Sequence, residues 1–186
     1  MKYSKALFAA TACAWITLYG ASALAAAQVF DGNQDEPKTN YGDIIFFNSK
    51  GEKICSLSVP ETKKTFDFSE SSQSCENNKV ASFTLQGIPS ATLIYFHENQ
   101  TCSDGKYNNN FFVKLKTVKQ PTSWVTPPNP PMPVMNFNDF KKKKAGDLIP
   151  DRNIRVDDQW EGSEFANKDW DERISCVYIE RSQPVK

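Results

Sequence analysis

Histidine is almost missing from this chain of 186 residues, and His97 is the only one. The sequence also lacks an HExxH helix, a GxSxG serine, a glycine-rich phosphate loop and a CxxC pair. Together these gaps remove the usual routes to metal-assisted hydrolysis, acyl transfer, nucleotide chemistry and thiol redox work. Carboxylates gather late in the chain, at Asp157, Asp158, Glu161, Glu164, Asp169, Asp171 and Glu172. Acid and base chemistry needs only two carboxylates, but solvated loop charge is the simpler reading. The chain is therefore expected not to be an enzyme, with His97 a surface or hairpin residue. Net charge is missing too, with 22 basic against 22 acidic side chains. No sustained apolar stripe of helical period appears, which argues against helix bundles and helical crossovers.

The N-terminus does hold a clear signal. Lys2 and Lys5 precede an apolar run from Ala6 to Leu24, and small residues follow at Ala25-Ala26-Ala27. This reads as a signal peptide over residues 1–27, cleaved on export, with an N-terminal extension over 28–42. The run approaches spanning length, but Ser22 and the alanines dilute it, so no membrane insertion is expected after cleavage. Removing it leaves 20 basic against 22 acidic groups, a balance that offers nucleic acid no general attraction. The expected location is secreted or periplasmic. The remaining length suits one domain with a sizeable core, expected to be a monomer.

A short segment occurs twice. Asn77-Asn78-Lys79-Val80-Ala81-Ser82-Phe83-Thr84-Leu85 matches Asp171-Glu172-Arg173-Ile174-Ser175-Cys176-Val177-Tyr178-Ile179 in physical class at every position, 94 residues apart (171 minus 77). Each has two carboxylate or carboxamide residues, a cation, a β-branched residue and two small residues before an apolar alternation. An oxygen-rich corner leading into a strand, built twice, predicts a fold of two equivalent β units. Four cysteines remain after the leader: Cys55, Cys75, Cys102 and Cys176. An even count in an oxidising compartment predicts disulfides. Equivalent units would each close their own bridge, Cys55 with Cys75 and Cys102 with Cys176; a bridge between units is the alternative.

Strands follow from a compact apolar run at Asp43 to Phe47 and from a period of two in the segments after it: Cys55 to Val59, Phe66 to Phe68, Ala81 to Leu85, Ala91 to Phe96, Phe111 to Leu115 and Ile174 to Ile179. Short turns between them predict an all-β fold, an antiparallel sandwich of two Greek-key motifs over 43–90 and 91–180, with a tail over 181–186. The second unit is longer, 80 positions from Ala91 to Asp171 against 34 from Asp43 to Asn77. The surplus is assigned to an insertion over 117–170. Within it, Thr126-Pro127-Pro128-Asn129-Pro130-Pro131-Met132-Pro133 favours an extended polyproline path. Trp124, Met132, Met135, Phe137 and Phe140 are the candidate partner-binding residues, with Lys141 to Lys144 adding steering. Alternatively these aromatics fold back over one face of the sandwich and the lysines form a solvated turn.

The two corners resemble the βγ-crystallin domain, whose calcium-binding members carry two acidic or amide residues, two variable residues, Ser or Thr, and then Ser. The stretch His97 to Gly105 is similar to that family's folded hairpin, with His97 in its aromatic place. The resemblance implies calcium, held by Asn77, Asn78, Asp171, Glu172 and Ser175, since a hard cation takes oxygen ligands. Ala81 and Cys176 depart from the pattern by removing hydroxyls, and Glu172 is longer than the usual residue. Some members of similar families inhibit secreted proteases. The expected function is thus an exported, non-enzymatic module that binds a protein, a protease inhibitor being one form of it. The alternative is a calcium-stabilised structural or stress protein of the cell envelope.

Overall fold

The computed structural model describes residues 39–70, 75–124 and 134–182. The signal peptide, the N-terminal extension as far as residue 38, Met132 within the proline-rich stretch and the last four residues of the tail lie outside them. The described residues form an all-β structure of two antiparallel sheets with short 3₁₀ turns.

Continuous apolar sequence makes β1 (Asp43–Phe47) a central strand, buried from Ile44 to Phe47. It pairs on one side with β2 (Lys53–Ser58) and on the other with β4 (Ser82–Gln86). Gly42 sets the entry to β1. Its φ is +89°, and an added Cβ would fall 2.4 Å from the Gln86 carbonyl oxygen, so only glycine fits this approach. The next strand, β3 (Lys63–Asp67), leaves this sheet and pairs with β10 (Cys176–Glu180) in the other. There β10 also pairs with β5 (Leu93–His97), which pairs with β6 (Phe111–Thr117). β7 (Met135–Asn136) returns to the first sheet beside β4. With β8 (Leu148–Ile149) and β9 (Ile154–Glu161) added beyond β6, the resulting orders are β2-β1-β4-β7 and β3-β10-β5-β6-β9-β8.

These orders have an internal twofold relation, since β2-β1-β4-β7 maps onto β6-β5-β10-β3. Backbone hydrogen bonds repeat it atom for atom. Ala81 N–H donates to the Phe47 carbonyl and Ser175 N–H to the His97 carbonyl, both at 2.9 Å. Phe137 N–H donates to Ala81 and Phe68 N–H to Ser175, at 3.2 and 2.8 Å. Asn78 N–H donates to Ile174 and Glu172 N–H to Val80, at 3.4 and 2.8 Å. The corner residues of each pair differ by the offset of 94 seen in the sequence (172 minus 78). The repeat is therefore built into the backbone, and the disulfides follow it. Cys55 bonds Cys75 and Cys102 bonds Cys176, each within its own unit.

The insertion is more ordered than a loop. It carries β8 (Leu148–Ile149) and the eight-residue strand β9 (Ile154–Glu161), which add to the β6 edge and have no counterpart in the first unit. Its aromatics enter the core. Phe83 lies 5.5 Å from Trp124, 5.3 Å from Phe137, 6.1 Å from Phe140 and 4.7 Å from Phe96 of the facing sheet, measured between ring centroids. Trp170 stacks on Phe111 at 4.2 Å. Lys141 differs from a solvated turn as well. Its ammonium donates to the carbonyls of Phe165 and Lys168 at 3.1 and 2.6 Å and pairs with Glu161 at 2.9 Å, a cation tying two insertion segments together.

Candidate functional site

Both corners adopt the same unusual backbone. Asn78 and Glu172 have φ of 57° and 58°, in the left-handed region that asparagine tolerates and glutamate does not favour. The residue before each also behaves alike. Asn77 Oδ1 and Asp171 Oδ1 are buried oxygens without a hydrogen-bond partner among the described residues. Such atoms are few in native structures, so a matched pair calls for an explanation. The Asp171 carboxyl is raised above the ordinary carboxylate range, chiefly by burial, with Asn138 opposing and Asp169 adding to the rise.

Side chains make the corners unequal. At the first, Asn78 Oδ1 accepts from the buried Ser175 hydroxyl at 3.3 Å. Asn77, Asn78 and Ser175 line a cavity of about 570 Å³ together with Glu98 and the hairpin that follows β5. Burial raises the Glu98 carboxyl, with the Arg173 and Lys168 cations opposing. At the second corner, Glu172 Oε1 accepts from the Ser49 hydroxyl at 2.7 Å and from its N–H at 3.4 Å. These bonds, with Lys79 and Lys50 nearby, lower the Glu172 carboxyl. Both lysines also line the second cavity, of about 360 Å³, and Ala81 stands where Ser175 stands in the first.

The residues expected to hold calcium are thus divided: Asn77, Asn78 and Ser175 meet in the first cavity, Glu172 lines the second, and Asp171 lines neither. The first fits a hard cation, having amide, hydroxyl and carboxylate oxygens and one orphaned buried oxygen in its wall. The second fits poorly, because the Glu172 carboxylate that lines it is already bonded to Ser49 and two ammonium groups stand beside it, while Asp171, which also keeps an orphaned oxygen, does not line that cavity. Among the described residues no three His, Cys, Asp or Glu side chains come together. A cation at the first corner would rest mostly on neutral oxygens, a donor set associated with weak affinity.

Four of the five partner-binding candidates sit inside. Trp124 and Met135 are 3% and 7% exposed, and Phe137 and Phe140 are 0%. Buried side chains cannot touch a partner in this conformation, so these residues pack where surface presentation was one expectation. Met132 lies outside the described residues. His97 is corrected as well. It is fully buried at the end of β5, its ring 5.6 Å from that of Phe112 and tilted 39° to it, with Nδ1 3.2 Å from the Ser103 carbonyl. The hairpin over it, fixed by Cys102–Cys176, hides it from solvent. Sequence reasoning passed over the lining residues Glu98, Gln100, Tyr107, Asn109 and Asn110. The run Asn108-Asn109-Asn110 is the one signal that points to them.

Comparison with family models, with curated proteins and with solved structures returned no match.

Proposed function

We propose that this chain is an exported, non-enzymatic module of two Greek keys in which a calcium ion bound at the first corner stabilises the fold, a structural or stress protein of the cell envelope. The observation that carries this reading is the convergence of Asn77, Asn78 and Ser175 on one cavity while Asn77 Oδ1 is left without a partner. The exchange of β3 and β7 between the sheets supports the Greek-key reading, as the two disulfides support export. Calcium supplies charge that the unmet oxygens can share. Asn77, Asn78, Ser175 and Glu98 would hold it.

Calcium titration followed by thermal unfolding tests this. With a Kd of about 1 mM, as in weak extracellular sites, 10 mM calcium adds about 1.4 kcal/mol. In a domain of this size that is a rise of roughly 3–5 °C. The double variant Asn78→Ala/Ser175→Ala is expected to lose the rise and Glu172→Gln to keep it. An unchanged melting temperature at 10 mM-scale calcium would sink the reading.

A second reading, a protein-binding module that inhibits a secreted protease, has one observation in its favour. Trp124 N–H donates to the Leu85 carbonyl at 2.8 Å, and Met135 pairs with Phe83. Both flanks of residues 125–133 are therefore pinned to β4, which lowers the ordering cost of any contact made between them. Purified serine, cysteine and metalloproteases, titrated with the protein, should include one blocked at a defined stoichiometry. If all three classes keep full activity, this reading fails.

A further inference from the structure

The cavity at the first corner is larger than a cation needs. A calcium ion with six to eight water-sized ligands fills about 200 Å³, against about 570 Å³ here. The space lies within the range of small-ligand sites. Its lining is distinctive in chemistry: carboxamides and hydroxyls, one aromatic ring, one carboxylate and no lysine or arginine. We propose that this cavity binds a neutral saccharide, through direct contacts to the hairpin after β5.

Three observations carry the proposal. First, the wall is rigid. Asn99 donates to the Ser103 carbonyl at 2.9 Å and accepts from Ser103 N–H at 2.8 Å, while Asn110 donates to the Gly105 carbonyl at 2.7 Å. The Cys102–Cys176 disulfide fixes the same hairpin next to Ser175. Second, the functional groups that face solvent are free. Gln100 and Asn109 are exposed lining residues whose carboxamides make no hydrogen bond within the described residues. A carboxamide offers donors and an acceptor together, which suits sugar hydroxyls, each both donor and acceptor. Third, a ring stands ready at the cavity. Tyr107 is 59% exposed, and its ring lies against Gly105, where an added Cβ would meet Cε2, Cζ and the hydroxyl oxygen. Its backbone is held too, because Trp160 Nε1 donates to its carbonyl at 2.8 Å. An exposed ring seated against the backbone can stack on the C–H face of a pyranose.

Competing ligands fit less well. Nucleic acid needs cations for its phosphates, and none lines the cavity. An apolar peptide anchor needs a greasy pocket, and Tyr107 is the one exposed large hydrophobic residue in this lining. The saccharide contacts stand whether or not a cation occupies the floor.

The test is binding of the mature, disulfide-bonded protein to immobilised neutral oligosaccharides built of glucose, galactose, mannose and N-acetylglucosamine, with calcium and with EDTA. Saturable binding in both arms is expected. Gln100→Ala, Asn109→Ala and Tyr107→Ala should each weaken it about 5- to 10-fold without moving the melting temperature, since all three side chains are exposed. Gly105→Ala should weaken it by displacing the ring. No saturable binding to any of these saccharides, or binding unchanged in the triple variant, overturns the proposal. Saccharide binding without a calcium-dependent rise in melting temperature would support this inference and remove only the cation reading.

Discussion

Lowering the pH should destabilise this protein through one residue. His97 is buried, its Nδ1 faces the Ser103 carbonyl and must donate to it, and its Nε2 has no partner. Protonation at Nε2 would place a charge among Phe112, Tyr95 and the hairpin, with no acceptor to meet it. Burial is the largest cause that pulls its pKa down from 6.5 to about 4, and the Lys114 ammonium adds to the fall, while the Ser103 bond and Asp104 oppose it. The unfolded chain therefore binds more protons between these two values, so stability is full above pH 6.5 and falls as the pH drops toward 4. A shift of this size corresponds to about 3 kcal/mol once the pH is below both values, and about 2 kcal/mol is already lost at pH 5. Urea unfolding at pH 7.5 and pH 5 reads this as a midpoint shift of roughly 1 M. Carboxyls such as Glu98 and Asp171, whose pKa values are raised, act in the opposite direction, so the comparison is made against His97→Gln. The variant should be less stable at pH 7.5 but lose about 2 kcal/mol less than the wild type between the two conditions. Equal losses in the two proteins would refute the reasoning.

The two disulfides should differ in worth. Cys102–Cys176 spans 74 residues and Cys55–Cys75 spans 20. Loop-closure entropy then assigns about 4.5 kcal/mol to the first and about 3 to the second. Serine replacement of each pair, compared by urea unfolding, should rank them in that order, and the reverse ranking would mean that local packing decides. Lys141→Met should cost about 2 kcal/mol by leaving Glu161 and the Phe165 and Lys168 carbonyls without their cation. Lys142→Met, at an exposed neighbour, should cost almost nothing. Similar losses for the two lysines would show that Lys141 does not act as a tie.

Much of the fold was legible because it rests on local patterns. Strand β1 follows from its compact apolar run and β2, β4, β5, β6 and β10 from alternation and turn signals, and the corners were visible as a repeat because class, spacing and the following strand agreed. Strand β9 was missed although Ile154 and Val156 alternate with Arg155 and Asp157. The nearby prolines and charges pulled that region toward loop, and the register shift opposite Lys114 and Leu115 breaks the period before Trp160. The fate of Trp124, Met135, Phe137 and Phe140 depends on space around Phe83, which no local pattern encodes. His97 was misjudged for a similar reason: what hides it is a hairpin held by a disulfide to a residue far along the chain. The wall of the cavity shared this limit. Asn99 and Asn110 read as turn residues, and only the closed hairpin turns their neighbours toward Ser175.

The asymmetry of the corners follows from the same backbone carrying different side chains. A left-handed residue other than glycine costs about 1–2 kcal/mol, less for asparagine, so Glu172 needs support that Asn78 does not. The bonds from Ser49 to Oε1 supply that support, and they occupy the carboxylate that a cation would use. Restoring a hydroxyl at position 81 would therefore not make the second corner a cation site. Lys50 and Lys79 would still stand beside it, and releasing Glu172 from Ser49 would give up the contact that holds its backbone. At the first corner the cations that act on Glu98, Arg173 and Lys168, do not line the cavity. Ser175 is buried and positioned, Asn78 tolerates its conformation, and among the described residues no cation lies within salt-bridge distance of the Glu98 carboxylate. Ligand binding in this fold is thus expected at one end of the twofold, while the other end has become a self-contained brace.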